Sequence, residues 1–406
     1  MIQFNYKYTI YACFIGYITQ AIANNLAPLL FSCFMYDFHL STMQITTFVV
    51  LNFMTQILSD ILASKYADKF GYKTSIITAH LCSFIGLLGL SIFPRFFNPF
   101  VGLMIATIIY AIGSGFIEVL ISPIVEACPT DNKESIMSLL HSFYCWGSVG
   151  VILFSTLFFY LFGKEYWYVL PILWSLVPLF NCFFFTKVEV PTLVEVHESM
   201  SLKQLSKYSL FYILLTLMIM SGACEHAMSQ WASTFCELGL NITKTTGDLL
   251  GPCMFAILMG LSRVFYGKAG HKIDLLKFIQ LSSILCFCSF LLVSLSSNVL
   301  FNLIGCALCG LSVGIFWPGV TSIASKSFPK GGTILFAYLA LAGDLGCIVG
   351  PYVIGFTTTI TNNIQIGFLL ASLFPILLFI FTILYKRKRV KMYPIGKTLI
   401  KSSENL

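Results

Sequence analysis

Apolar residues in this chain come in long runs separated by short polar breaks. Twelve runs can be marked, near 8–34, 43–63, 74–94, 98–125, 135–162, 167–186, 208–236, 247–267, 276–294, 297–325, 333–358 and 363–385. Each is long enough to cross a hydrocarbon layer of about 30 Å as a helix. Strand-style alternation is absent, and unpaired backbone groups are costly in lipid, so the pattern predicts helices and not a barrel. The expected fold class is an all-α membrane protein with twelve transmembrane helices. The first run is long, follows a single Lys and lacks a small-x-small cleavage site, so it reads as span 1 and not as a removed signal peptide.

Composition agrees: 57% of the 406 residues are hydrophobic and 10% are charged, against about 25% charged in ordinary soluble domains. The net charge of +7 would fit a nucleic-acid binder if it were clustered, but its distribution excludes that partner. Of 24 Lys and Arg, the odd-numbered loops hold only Arg95, Lys164 and Lys244, and the rest are assigned to the even-numbered loops and the termini. By the positive-inside rule this predicts a cell-membrane protein with both termini cytoplasmic. The basic tail from Tyr385 reads as an anchor for anionic headgroups of the bilayer. Fourteen cysteines lie mostly within the apolar runs without ligating company, so no metal site and no cofactor is expected.

The longest polar stretch before the tail, 187–206, falls near the midpoint, with six runs on each side. Within it, Ser201-x-x-Gln204 has the form of a capping box. The expected organisation is a six-helix bundle over 1–186, a cytoplasmic linker over 187–206, a second bundle over 207–385 and a basic tail over 386–406. The halves echo each other. "ADKFGYK" at 67–73 and "YGKAGHK" at 266–272 share a Lys-x-Gly-x-Lys pattern, and "WGSVG" at 146–150 and "AGDLG" at 342–346 share Gly-x-x-Gly, at nearly the same offset. A duplicated bundle about a pseudo-two-fold axis is the plan of carriers that expose a central site alternately to each side.

The stretch Ser64-Lys-Tyr-Ala-Asp68-Lys69-Phe-Gly71-Tyr-Lys73 resembles the loop 2–3 motif of the major facilitator superfamily, G-x-x-x-D-[RK]-x-G-x-[RK], with Ser64 in place of the first glycine. Gly71 would permit a tight turn, Lys69 and Lys73 would hold the loop on the cytoplasmic side, and Asp68 would face a helix N-terminus. The resemblance implies that these residues latch the halves in one conformation. Over nearly its whole length the chain is also similar to the fucose-permease-like branch. Ala23-Asn24-Asn25-Leu26 in span 1 and Gly113-x-Gly115-x-x-Glu118 in span 4 match that branch, but Ala27-Pro28 stands where the permeases have Asn-Asp.

An acid placed in hydrocarbon costs about 2.5–3.5 kcal/mol or more, so the acids inside the spans are candidates for function. Glu118 is the expected proton-coupling residue. The bland alternative is a protonated acid bonded to Ser114 or Ser122, four residues away on the same face. Gln20, Asn24, Asn25, His141, Tyr144, Glu225, His226 and Trp317 are the expected substrate-binding residues, because amides, acids and rings together suit a polyhydroxylated solute. For Glu225 and His226 the alternative is an ordinary interhelical hydrogen bond. His141 could equally be a satisfied interior histidine, and Trp317, beside Pro318 and Gly319, could mark a kink in span 10. Asp344 lies in a glycine-spaced stretch that favours close helix packing. Lys and Arg are expected to stay out of the span centres, leaving no buried cation for the acids.

No hydrolase elbow or zinc-protease motif is present, and Tyr36-Asp37 with Gly343-Asp344 only loosely resembles an intramembrane aspartyl protease, so no enzyme is expected. The resemblance implies a secondary active transporter working by alternating access, coupling protons to uptake of a sugar or related small polar solute, as a monomer. A proton-coupled exporter of drugs or metabolites and an uncoupled facilitator are the alternatives.

Overall fold

Each apolar run becomes a helix, and a polar residue in front of several of them supplies the cap. Asn98 Oδ1 accepts from the Phe100 N–H at 3.1 Å, with Pro99 filling the first helical position, and Asn298 Oδ1 accepts from Leu300 at 2.9 Å. These two asparagines open spans 4 and 10, which occupy the same place in the two halves. Asp274 and Asn363 cap spans 9 and 12 in the same way. In the computed structural model of the protein, residues 6–129, 133–191, 200–269, 273–328 and 331–392 are described.

The twelve spans are there. Spans 1 to 6 are Tyr6–Asp37, Thr42–Phe70, Tyr72–Phe96, Pro99–Ala127, Lys133–Phe162 and Val169–Lys187. Span 7 is Ser209–Thr234 with a π turn, Phe235–Gly239, at its end. Span 8 starts as Lys244–Asp248, passes through a second π turn, Leu249–Cys253, and continues as Met254–Ala269. Spans 9 and 11 are Leu275–Leu295 and Gly332–Thr361, and span 12 is Ile364–Ala371 continued as Leu373–Met392. The kink expected in span 10 is a break between Val299–Val313 and Phe316–Ser327, so that Pro318 falls in a first turn, where its missing N–H costs nothing. The Ser201–Gln204 box opens only the short helix Leu202–Leu205, ahead of span 7.

Packing repeats between the halves. Within the first six spans, 3 packs on 4 and 6, 2 on 4, and 1 on 5; within the second six, 9 packs on 10 and 12, 8 on 10, and 7 on 11. These are the same pairings six spans later. Two pseudo-symmetric six-helix bundles result, and they meet along spans 1 and 7, 2 and 11, and 5 and 8. The glycine-spaced stretch of span 11 does what its spacing implies. A Cβ on Gly346 would lie 2.0 Å from the Ile219 carbonyl and one on Gly350 2.4 Å from that of Ala223, so span 7 can lie this close only against glycine.

On the odd-loop side the bundles are tied by charge. Lys164, between spans 5 and 6, pairs with Glu237 at the end of span 7. Lys244 bonds Asp248 Oδ2 and Ser233 Oγ, each at 2.9 Å, and lies over the Phe159 ring of the opposite bundle at 5.3 Å. Salt bridges of the Lys164–Glu237 type, with one partner exposed, contribute at most about 1 kcal/mol.

Candidate functional site

Span 1 supplies the middle of the site. Pro28 has no N–H, so the Asn24 carbonyl loses its usual helical donor four residues on. It accepts instead from Gln230 Nε2 of span 7, across the bundles, at 3.2 Å. The proline that departs from the permease motif thus frees a backbone acceptor for the other bundle. The Asn24 side-chain oxygen takes Gln56 Nε2 at 3.0 Å and Asn52 Nδ2 at 3.5 Å, both from span 2. Asn25 Nδ2 donates to Ser148 Oγ of span 5 at 3.0 Å and to the Ala21 carbonyl at 2.8 Å.

Glu118 is half-buried on span 4, and its Oε2 accepts from Gln20 Nε2 at 2.6 Å. Its partner is therefore on span 1. Ser122 is bonded to the Tyr17 hydroxyl at 3.0 Å and Ser114 to Gln56 Oε1 at 3.5 Å. The alternative pairing with Ser114 or Ser122 is not formed: a residue from a neighbouring span competes better than one held four positions away on the same helix.

Tyr144 reaches Asn24 and Asn25 from span 5. His141, one turn earlier, is exposed, and Tyr17 meets its ring edge-on at 5.3 Å between centroids. Asn25, Tyr144, Ser148, Glu225 and His226 converge on one cavity between the bundles. Its volume is about 20 Å³, enough for a water molecule but not for a sugar. The bundles must separate there before any solute of that size can enter.

Glu225 and His226 sit side by side on span 7 and are both buried. His226 Nδ1 is 3.2 Å from the Cys347 thiol, and the ring stands edge-on to Phe53 of span 2 at 4.9 Å. Glu225 has a partner that the sequence did not announce. Arg263 of span 8 approaches Glu225 Oε2 with Nη2 at 3.4 Å, and also bonds the Gly314 carbonyl at 3.3 Å and the Cys145 sulfur of span 5 at 3.1 Å. The expectation that no buried cation serves the acids is therefore wrong. Arg263 falls six residues before Ala269, and its nearness to the basic loop 8–9 hides its depth. Removing one partner of a fully buried ion pair costs about 3–5 kcal/mol, and less is expected here because Arg263 keeps 19% of its side chain exposed. Arg263→Ala should lower the thermal stability of the detergent-solubilised protein accordingly, and adding Glu225→Ala should restore much of the loss. If the double variant melts no higher than Arg263→Ala alone, the pair is not coupled.

Trp317 is half-buried and lies on the backbone of span 11, where a Cβ on Gly343 would be 2.2 Å from its ring. That contact is packing, and it sits next to Asp344. Asp344 is buried, and its carboxyl faces that of Asp60 on span 2. Asp60 was not singled out in the sequence, because it lies one turn before the Ser64–Lys73 motif and reads as part of the loop edge. Of the expected latch, Gly71 has φ 82° at the start of span 3, as a tight turn there requires. Lys73 Nζ donates to the Thr186 and Val188 carbonyls at 3.1 and 2.8 Å, capping span 6 of its own bundle. The side chains of Asp68 and Lys69 lie outside the described ones. Among the described residues no group of three His, Cys, Asp or Glu is arranged to hold a metal.

A family model, that of the Major Facilitator Superfamily, matches residues 13–351. The chain belongs to the major facilitator superfamily. It is a multi-pass membrane transporter and not an enzyme. A probable nitrate transporter NarT of Staphylococcus epidermidis is 26% identical over 206 residues, covering 50% of this chain and 51% of that protein, so the chain spans about half the length of this relative. The probable nitrate transporter NarT of Staphylococcus carnosus is 23% identical over 329 residues, covering 78% and 82%. Among solved structures, the E. coli fucose:proton symporter FucP superposes with a TM-score of 0.66 at 16% identity, covering 93% of this chain and 98% of that one. That likeness is one of major facilitator fold.

Proposed function

We propose that this major facilitator carries a sugar or related small polar solute into the cell together with a proton, by alternating access, as a monomer with both termini cytoplasmic. The observation that carries the reading is the polar lining between the bundles. Asn25, Tyr144 and Ser148 line the cavity with both donors and acceptors, as hydroxyl groups need; Gln20 and His141 lie about one turn away on the same spans, and Glu118 is a half-buried acid held by an amide. The fucose:proton symporter fold supports the same reading.

Nitrate, the substrate named for the two NarT relatives, is favoured here by one group, Arg263. Its guanidinium is already engaged by Glu225, and the same region holds Glu118, Asp60 and Asp344. A guanidinium already paired with a carboxylate, across from a seam of acids, disfavours a bare anion. The test is a thermal-shift screen of the purified protein with sugars, polyols and nitrate at matched ionic strength. A ligand at 100 times its Kd stabilises by about 2.7 kcal/mol, so millimolar binders need tens of millimolar or more. Stabilisation by at least one sugar or polyol and none by nitrate is expected. Stabilisation by nitrate alone would replace the reading with anion transport.

A further inference from the structure

Asp60 and Asp344 belong to different bundles, and each is more than nine-tenths buried, at 6% and 3% exposure. Their carboxyl groups face one another across the seam. Both oxygens of Asp60 and Oδ2 of Asp344 receive no N–H or O–H from any other group. Ionised carboxylates only accept, so two that face each other without another donor can bond only through a proton carried by one of them. Their position gives that proton a consequence, because spans 2 and 11 form one of the main seams between the bundles. Close packing holds the pair in place: a Cβ on Gly115 would lie 3.1 Å from Asp60 Oδ1, and Trp317 covers Gly343 beside Asp344.

We infer that the Asp60–Asp344 pair is a proton-binding site that closes the seam between spans 2 and 11, the bundles meeting there when the pair holds a proton and parting when it is lost. The inference goes beyond the proposed solute and Glu118; it rests only on the proton-linked alternating access of that reading. The groups that face the pair are few. Glu118 acts on it from span 4. Cys347, one turn along span 11, is bonded to His226 of span 7, and Glu225 also bears on that thiol. Among the described residues no Lys or Arg is bonded to either carboxyl. With acids as the charged neighbours, a second negative charge in the seam is opposed from both sides. The pair thereby supplies an acid near Glu118 in a chain that has Ala27-Pro28 where the permeases carry one in span 1.

The test is hydrogen exchange of the full-length protein in nanodiscs, read as protection factors for peptides from spans 2 and 11 between about pH 6 and about pH 9. Release of one proton on opening lowers protection by up to about tenfold per pH unit above the release point. The wild type should show that fall in both spans, with protection in span 3 unchanged. Asp60→Asn gives Asp344 a permanent amide donor, so protection of both spans should stay high and flat with pH; Asp344→Asn, the second variant, should do the same. Protection of the wild type that is flat with pH, or an unaltered pH response in both variants, overturns the inference. Glu118→Gln separates the two readings. It should leave the pH response of spans 2 and 11 in place even if no sugar is carried, whereas failure of the pair would leave sugar accumulation through Glu118 untouched.

Discussion

Gly260→Cys should stop transport under oxidising conditions and release it again on reduction. A Cβ built on Gly260 of span 8 lies 3.5 Å from the Cβ of Cys145 on span 5, in the opposite bundle. Disulfides form at Cβ separations of about 3.5–4.5 Å, so the native thiol needs little movement to close the link. Cys145 is buried, and the seam it occupies must open for the bundles to rock about the site. With the link formed, counterflow of a solute found by the screen above should fall below about one-tenth of the reduced value, since only unlinked molecules can cycle. Mass spectrometry should find position 260 joined to Cys145, and the further change Cys145→Ser should remove the effect. Full linkage with undiminished counterflow would mean that spans 5 and 8 stay together throughout the cycle.

Glu118→Gln should uncouple the carrier without unfolding it. Glutamine has nearly the shape of the acid and keeps an oxygen for the Gln20 amide, which donates at 2.6 Å in the native protein. It cannot take up or release a proton. With one proton carried per solute, a gradient of one pH unit supports at most about tenfold accumulation in proteoliposomes, because tenfold corresponds to 1.4 kcal/mol. The variant should reach no accumulation while exchanging internal for external solute at a rate within about threefold of wild type. Accumulation that survives the substitution would move the coupling to another acid, with Asp60 and Asp344 first in line.

The fold was legible because lipid leaves the backbone few choices. A run of about 20 apolar residues has to be a helix, and the basic loops and the midpoint linker order twelve of them into two sets of six. The site was legible as a set of residues but not as a set of partners. Glu118 with Ser114 and Ser122 illustrates this, since sequence spacing reveals neighbours on one helix, whereas Gln20 reaches the acid only because span 1 packs against span 4. Asp60 and Arg263 escaped for a related reason. Each lies just inside the membrane from a lysine-bearing loop, and hydropathy blurs depth over a turn or two of helix. Only the packing of span 2 on span 11, and of span 8 on span 5, makes them interior groups of the seams. The break expected beside Trp317 is present just before Phe316, and the Trp317 ring rests on the backbone at Gly343, a contact that sequence spacing does not reveal.

The two seams related by the internal repeat, spans 2 with 11 and 5 with 8, have acquired opposite chemistry. One carries a facing pair of acids, with Glu118 close by; the other carries a guanidinium set against a single carboxylate and a thiol. The space between them is electrically lopsided, more negative along one wall than the other. A hydroxyl-rich molecule entering that gradient would be turned so that its O–H dipoles point toward the acidic wall, and so would arrive partly oriented before any single contact had selected it.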